Sequence, residues 1–170
     1  MTSKIGFGLG AAALLLASAC GERTAEAPAS NGTIEDNGSA ATNAAMPDAD
    51  GPLSRYVGKH PSGVVDGTRF LDEAMVRAAV AASVPDASAR EFVFNYNGPD
   101  APIVAKDGRI LAWGCERHNC GYHNWSISIT PDGASADVCL YENDDSPDGP
   151  STWYLASGGT EQRPGNCPSD

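Results

Sequence analysis

The spacing of apolar positions changes along the chain from a helical period to an alternating one. Between Leu71 and Ala82, apolar residues recur at three- and four-residue steps, which predicts a helix over residues 72–84 that ends at Pro85. The next stretch, 87–95, suits a second short helix, although the aromatic and β-branched residues near its end also permit a strand. Helical spacing thus precedes the region of alternation.

Alternation of apolar and polar residues follows and predicts strands. In 125–130, Trp125, Ile127 and Ile129 alternate with small polar residues, which is typical of a strand with one buried face. An Asp-Gly pair at 107–108 is a hairpin signal. Five strands are predicted in all, at 103–105, 109–113, 125–130, 136–141 and 152–156. Helices followed by a run of hairpins predict an α+β fold with an antiparallel sheet.

The start of the chain has the pattern of an export signal. Lys4 is the only charge in 1–19, and the apolar run 5–17 is too short to cross a bilayer as a permanent helix. The run ends at Ala19-Cys20, which resembles the lipobox of bacterial lipoproteins, where the cysteine becomes the lipidated first residue. We therefore expect a signal peptide over 1–19 and a lipid on Cys20. An ordinary signal peptide cut near Ala19, which leaves Cys20 a free thiol, is the alternative.

Composition divides the rest of the chain into a tether and a domain. Residues 21–52 consist mainly of small, polar and acidic residues, with one Ile, one Met and no aromatic residue. Such a segment cannot bury enough apolar surface to offset the entropy of ordering it. We expect 20–52 to be a flexible tether that holds a single domain, 53–170, off the membrane.

The chain is strongly acidic. Lys and Arg number 11 and Asp and Glu number 22, so the net charge is −11. This charge repels phosphate backbones, which argues against a nucleic-acid partner and favours a cationic one. The sequence shows no paired catalytic acids, no Ser/His pair and no nucleotide-binding loop, so we expect neither an enzyme nor a cofactor. The acidic stretch 142–149 lacks the ligand spacing of an EF-hand, and we interpret it as a turn between strands.

A short segment bounded by two cysteines joins the second and third predicted strands. The four residues between Cys115 and Cys120 allow a small disulfide-closed loop that projects from the sheet edge and displays His118. A stiff projecting loop suits inhibition, because little entropy is lost when it binds. The same cysteines with His118 and His123 also offer zinc ligands, although their spacing is not that of a zinc finger and a disulfide would compete.

The Cys-Glu-Arg-His-Asn-Cys-Gly sequence at 115–121 resembles the Cys-Lys-Pro-His-Asp-Cys-Gly loop of the Ivy family, the inhibitors of vertebrate lysozyme. The Tyr-Val-Gly-Lys-His-Pro segment at 56–61 and the helix at 71–84 are similar to the opening of that family, so the resemblance covers most of 53–170. It implies a five-stranded antiparallel sheet with flanking helices. It also implies a Cys115–Cys120 disulfide.

The resemblance further implies a mechanism. The loop plugs the cleft of c-type lysozyme, and His118 lies against the two catalytic carboxylates. Lysozymes are strongly cationic, so an acidic inhibitor gains association rate. Three loop positions depart from the family pattern, because Glu116 replaces a frequent Lys, Arg117 a frequent Pro and Asn119 a frequent Asp.

These features together predict a function and a location. We expect an envelope lipoprotein, anchored in the outer membrane and facing the periplasm, that inhibits c-type lysozyme or another peptidoglycan-cleaving glycosidase. We predict a second disulfide, Cys139–Cys167, that fastens the tail 158–170 to a strand, and no metal site. The expected inhibitory residues are Cys115, Glu116, Arg117, His118, Asn119 and Cys120. A structural or binding envelope lipoprotein of the same fold without inhibitory activity is the alternative.

Overall fold

The computed structural model of the protein describes residues 50–170. The predicted signal peptide, the predicted lipid on Cys20 and nearly all of the predicted tether lie outside these residues. Within 50–170, no helix has both the length and the apolar character needed to span a bilayer.

The described region is α+β, as predicted, and its helices come before its main sheet. Its elements are two 3₁₀ turns, two α-helices and eight strands. In chain order they are the turn Pro52–Tyr56, β1 (Val64–Val65), β2 (Thr68–Arg69), the turn Phe70–Asp72, α1 (Ala74–Ser83), α2 (Ala87–Phe94), β3 (Asp100–Lys106), β4 (Arg109–Cys115), β5 (His123–Ile129), β6 (Ala136–Glu142), β7 (Pro150–Tyr154) and β8 (Thr160–Pro164). Strands β1 and β2 form a small hairpin, and β3 to β8 form one antiparallel sheet in sequential order.

The main sheet has six strands, so the prediction of five strands was wrong by one. The additional strand, β8, has the sequence Thr-Glu-Gln-Arg-Pro and is exposed at every position. It pairs with β7 at the sheet edge, with Arg163 opposite Ser151 and Glu161 opposite Trp153. An edge strand of charged residues and proline carries no apolar alternation, and such residues also discourage pairing with a further strand.

The helices were predicted close to their observed bounds. Helix α1 begins at Ala74, two residues later than predicted, because 70–72 forms a 3₁₀ turn. Residues 87–94 form helix α2, so the helical alternative for 87–95 is confirmed and the strand alternative is wrong. Its start is capped by Asp86, whose side chain accepts a hydrogen bond of 2.8 Å from the backbone N–H of Ser88.

One face of the main sheet packs against the helices to form the core. Trp125, Ile127 and Ile129 of β5 are fully buried there, as their alternation predicts, and α1 contributes Val76 and Val80. On the opposite face, Cys139 of β6 is joined to Cys167 of the tail by a disulfide, as predicted. This face is also covered, since Ser126 of β5 is only 1% exposed and a second cluster contains Cys139, Tyr141 and Cys167.

Because successive strands are antiparallel, the connections between them alternate between two ends of the sheet. One end carries the 116–122 connection and the 143–149 turn, and we call it the loop end. The other carries the connections at 107–108, 130–135 and 155–159. The chain enters the domain at this other end, the entry end, where the backbone N–H of Leu53 donates to the carbonyl of Pro131 over 3.1 Å.

Candidate functional site

The cysteine-bounded segment forms a small closed loop at the loop end. Cys115 is the last residue of β4, and its disulfide to Cys120 brings the two Cα atoms to 4.9 Å. The pairing expected from the family resemblance is therefore present. Two disulfide-bonded cysteines cannot also bind zinc as thiolates, and residues 50–170 contain no cluster of three or more potential metal ligands.

A tight turn at the tip of the loop presents His118. The backbone N–H of Asn119 donates to the carbonyl of Glu116 over 3.1 Å, and His118 has φ +64°. These are the features of a type II turn, with Arg117 at its second position and His118 at its third. The side chain of His118 is exposed and has no hydrogen-bond partner within 50–170. The second position of a type II turn favours proline, so Arg117 occupies a site where proline also fits.

The carboxylate of Glu116 is directed back into the loop. Its Oε2 atom accepts from Asn119 Nδ2 over 2.9 Å and lies 2.6 Å from Nδ1 of His123. Hydrogen bonds from Asn119 and His123 lower the pKa of Glu116. Glu116, which replaces a frequent lysine of the family pattern, therefore bonds the loop to His123 at the base of the loop.

Arg117 and Gly98 connect the loop to the segment before β3. Arg117 Nε donates to the carbonyl of Asn97 over 3.1 Å. A Cβ atom on Gly98 would lie 2.1 Å from the carbonyl oxygen of Cys115 and 2.5 Å from the nitrogen of Arg117. Only glycine allows this approach of two backbones. The sequence does not indicate this contact, because an Asn-Gly-Pro run predicts a turn without indicating which residues the turn contacts.

Asp100, the first residue of β3, has a nearly buried carboxylate that bonds to residues preceding it in the chain. Asp100, whose side chain is 6% exposed, accepts hydrogen bonds of 2.6 Å from Tyr96 Oη and 3.1 Å from the backbone N–H of Ser62, and lies 2.6 Å from His60 Nδ1. Burial by itself would raise the pKa of Asp100, but the bonds from Tyr96, Ser62 and His60 outweigh burial and lower it. Gly98, two residues before Asp100, contacts the loop. Asp100 therefore helps to fix the position of the segment that the loop contacts.

Comparison with protein families decides which known group the domain resembles. The model of the family described as Inhibitor of vertebrate lysozyme (Ivy) matches residues 75–156. Residues 75–156 match the Ivy family. The matched residues run from α1 to the end of β7 and include the whole 115–120 loop, whereas 56–61 and β8 lie outside them. No curated protein and no solved structure matches the chain.

The Ivy domain places an acidic turn next to the loop. The backbone N–H of Asn143 donates to the carbonyl of Tyr122 over 3.0 Å, and Asp144 Oδ1 lies 2.9 Å from His123 Nε2. Two further carboxylates of the turn, Asp145 and Asp148, are exposed. Negative charge therefore borders the 115–120 loop at the loop end of the sheet.

Proposed function

We propose that this Ivy-family protein is an envelope lipoprotein that inhibits c-type lysozyme by inserting its 115–120 loop into the catalytic cleft. The family is one of lysozyme inhibitors, which supports inhibition in general. The observation that carries the finer proposal is the exposed His118, which has no hydrogen-bond partner within 50–170, at the tip of a disulfide-closed loop. The protein acts here as a ligand of an enzyme and performs no reaction itself.

The chemistry of the loop fits a cleft lined by two carboxylates. An imidazole between two such acids can donate to one or both of them and exclude the water needed for hydrolysis. Glu116, the one acid among the four residues between the cysteines, is bonded to Asn119 and His123, which reduces its repulsion of the target. Arg117 adds a cation at the rim, where its effect on affinity is smaller than that of a buried contact.

A titration of c-type lysozyme with the purified protein tests the proposal, and His118 variants test the mechanism. Because His118 has φ +64°, alanine would add backbone strain, whereas glycine removes the imidazole and keeps this conformation accessible. We expect His118→Gly to lose about 2–5 kcal/mol of binding free energy, or roughly 30-fold or more in affinity. We expect Arg117→Ala to lose less.

The thermal stability of His118→Gly should stay close to that of the wild type, because the side chain makes no hydrogen bond within 50–170. Full inhibition by His118→Gly together with loss of inhibition in Arg117→Ala would contradict the mechanism. Absence of inhibition by the wild type would contradict the function itself and favour a structural or binding role.

The location is part of the proposal. The apolar run that ends at Ala19-Cys20 supports a lipid on Cys20 and an anchor in the outer membrane facing the periplasm. We expect Cys20→Ser to move the exported protein from the membrane fraction to the soluble fraction, as measured by immunoblotting. Retention of the variant with the membrane would refute the lipid anchor.

A further inference from the structure

His123 lies between two carboxylates that belong to different segments of the loop end. Its Nδ1 atom is 2.6 Å from Oε2 of Glu116 in the loop, and its Nε2 atom is 2.9 Å from Oδ1 of Asp144 in the acidic turn. The imidazole is 20% exposed and is the first side chain of β5. It thus links the base of the loop to the neighbouring turn.

The contact with Glu116 has the geometry of a hydrogen bond and the contact with Asp144 that of an ion pair, and a ring N–H suits each of them. A carboxylate only accepts hydrogen bonds, and a neutral imidazole has one N–H, so it can donate to one of the two acids. The imidazolium has an N–H on each nitrogen and satisfies both. Within 50–170, neither Glu116 nor Asp144 has an ion pair with any other cation.

The remaining surroundings of His123 are acidic or apolar. Glu142 of β6 is its cross-strand partner, and the ring of Phe92 from α2 meets the imidazole edge-on at 6.2 Å between centroids. Glu91, also on α2, lines the same cavity as Phe92 and Glu116. The charged residues named here from the loop, β6, α2 and the acidic turn are thus all acidic.

We propose that protonated His123 is a positioning residue that clamps the inhibitory loop to the acidic turn, so that the loop is held in its binding conformation more firmly at acidic than at alkaline pH. This inference rests on the proposed function of the loop. When His123 loses its proton, the bond to either Glu116 or Asp144 is lost. Glu116 also accepts from Asn119, so a change at Glu116 reaches the residue next to His118.

The clamp can be tested in the free protein, without lysozyme. In ¹⁵N-resolved NMR spectra of the wild type, we expect the amide signals of His118 and Asn119 to change with pH together with the ring signals of His123. His123→Asn is the matched control, because its amide donates from near the position of Nδ1 at every pH and does not titrate. Loop amides that do not follow His123 in the wild type would overturn the proposal.

Inhibition supplies a second readout. We expect the affinity of the wild type for c-type lysozyme to fall between pH 5.5 and pH 8 by about three- to fivefold more than that of His123→Asn, the size typical of a partly exposed charge pair. Any other effect of pH on the target or on the rest of the loop is common to both proteins and cancels in the comparison. Equal pH profiles of the two proteins would overturn the clamp. Absence of inhibition by the wild type at every pH would overturn the proposed function, whereas the NMR test of the clamp would still be valid.

Discussion

Gly98 determines how closely the segment before β3 approaches the base of the loop. An added Cβ would lie 2.1 Å from the carbonyl oxygen of Cys115, a distance that forces one of the two backbones to move. The conformation of Gly98 itself is not left-handed, so alanine is opposed by the contact alone. Residue 98 must therefore lack a Cβ atom.

We therefore expect Gly98→Ala to destabilise the protein by about 1–3 kcal/mol, the usual cost of overpacking, and to weaken lysozyme inhibition. Gly121 is the matched control in the same region, because its added Cβ would meet nothing within 4 Å. Urea unfolding of both variants measures the difference. If Gly121→Ala were as unstable as Gly98→Ala, the loss of stability in Gly98→Ala could not be assigned to the close backbone contact at residue 98.

Residues of the loop differ in how much the sequence could reveal about them. The two cysteines and His118 stand out by type and spacing, so a projecting closed loop was predictable. The direction of Glu116 was not, because it depends on Asn119 and on His123, seven residues away across the loop. The local sequence indicates which side chains are present, whereas their partners depend on which other residues the fold brings close to them.

At the scale of elements, β3 is held to the preceding 59–63 segment by Asp100. The carboxylate is nearly buried and accepts from Tyr96 and Ser62 and contacts His60, and these bonds lower the pKa of Asp100 below its usual range. A carboxyl with a lowered folded pKa stabilises the protein above its unfolded pKa, which is about 3.9. This stability is lost as the pH falls through the folded value.

We expect Asp100→Asn to lower the free energy of unfolding at pH 7 by about 1–3 kcal/mol, because the buried donors lose a charged acceptor. The difference from the wild type should shrink as the pH falls below about 4, where the carboxyl of the unfolded chain takes up a proton, and it should vanish only once the native carboxyl is protonated at a still lower pH. Chemical denaturation at pH 7, 5 and 3 measures it. A difference that stays constant over this range would mean that the ionised state of Asp100 contributes nothing.

Elements with an apolar pattern were predicted, and elements without one were missed. Helix α1 and strand β5 place apolar side chains in the core at regular intervals, so the sequence shows their period. Strand β8 is held by backbone pairing to β7 and by Arg163, whose guanidinium stacks 4.1 Å from the ring centre of Trp153. Neither interaction leaves a periodic trace, so the sixth strand could not be predicted from the sequence.

On the scale of the whole molecule, exposed acids lie at both ends of the main sheet and so at different distances from the loop. The full chain carries a net charge of −11. The exposed acids Asp145 and Asp148 lie in the 143–149 turn at the loop end, whereas Asp107 lies in the connection at the entry end. Charges near an interface accelerate association, and charges more than about 10 Å away are largely screened at 0.1 M salt.

We expect the double variant Asp145→Asn/Asp148→Asn to associate with a cationic lysozyme about two- to fivefold more slowly at about 0.1 M salt, with little change in dissociation. Asp107→Asn, the control from the entry end, should associate at the wild-type rate. Stopped-flow measurements at several ionic strengths separate the two effects. Equal slowing in both variants would mean that total charge, and not its position, sets the rate.

The alternation of connections between the two ends of the sheet also sets the direction in which the loop is presented. Leu53 bonds to Pro131 at the entry end, so the polypeptide that precedes it arrives at the end of the sheet opposite the 115–120 loop. Residues 50–53 therefore reach the domain without crossing the surface around the 115–120 loop, which leaves the tip of the loop accessible to a target enzyme.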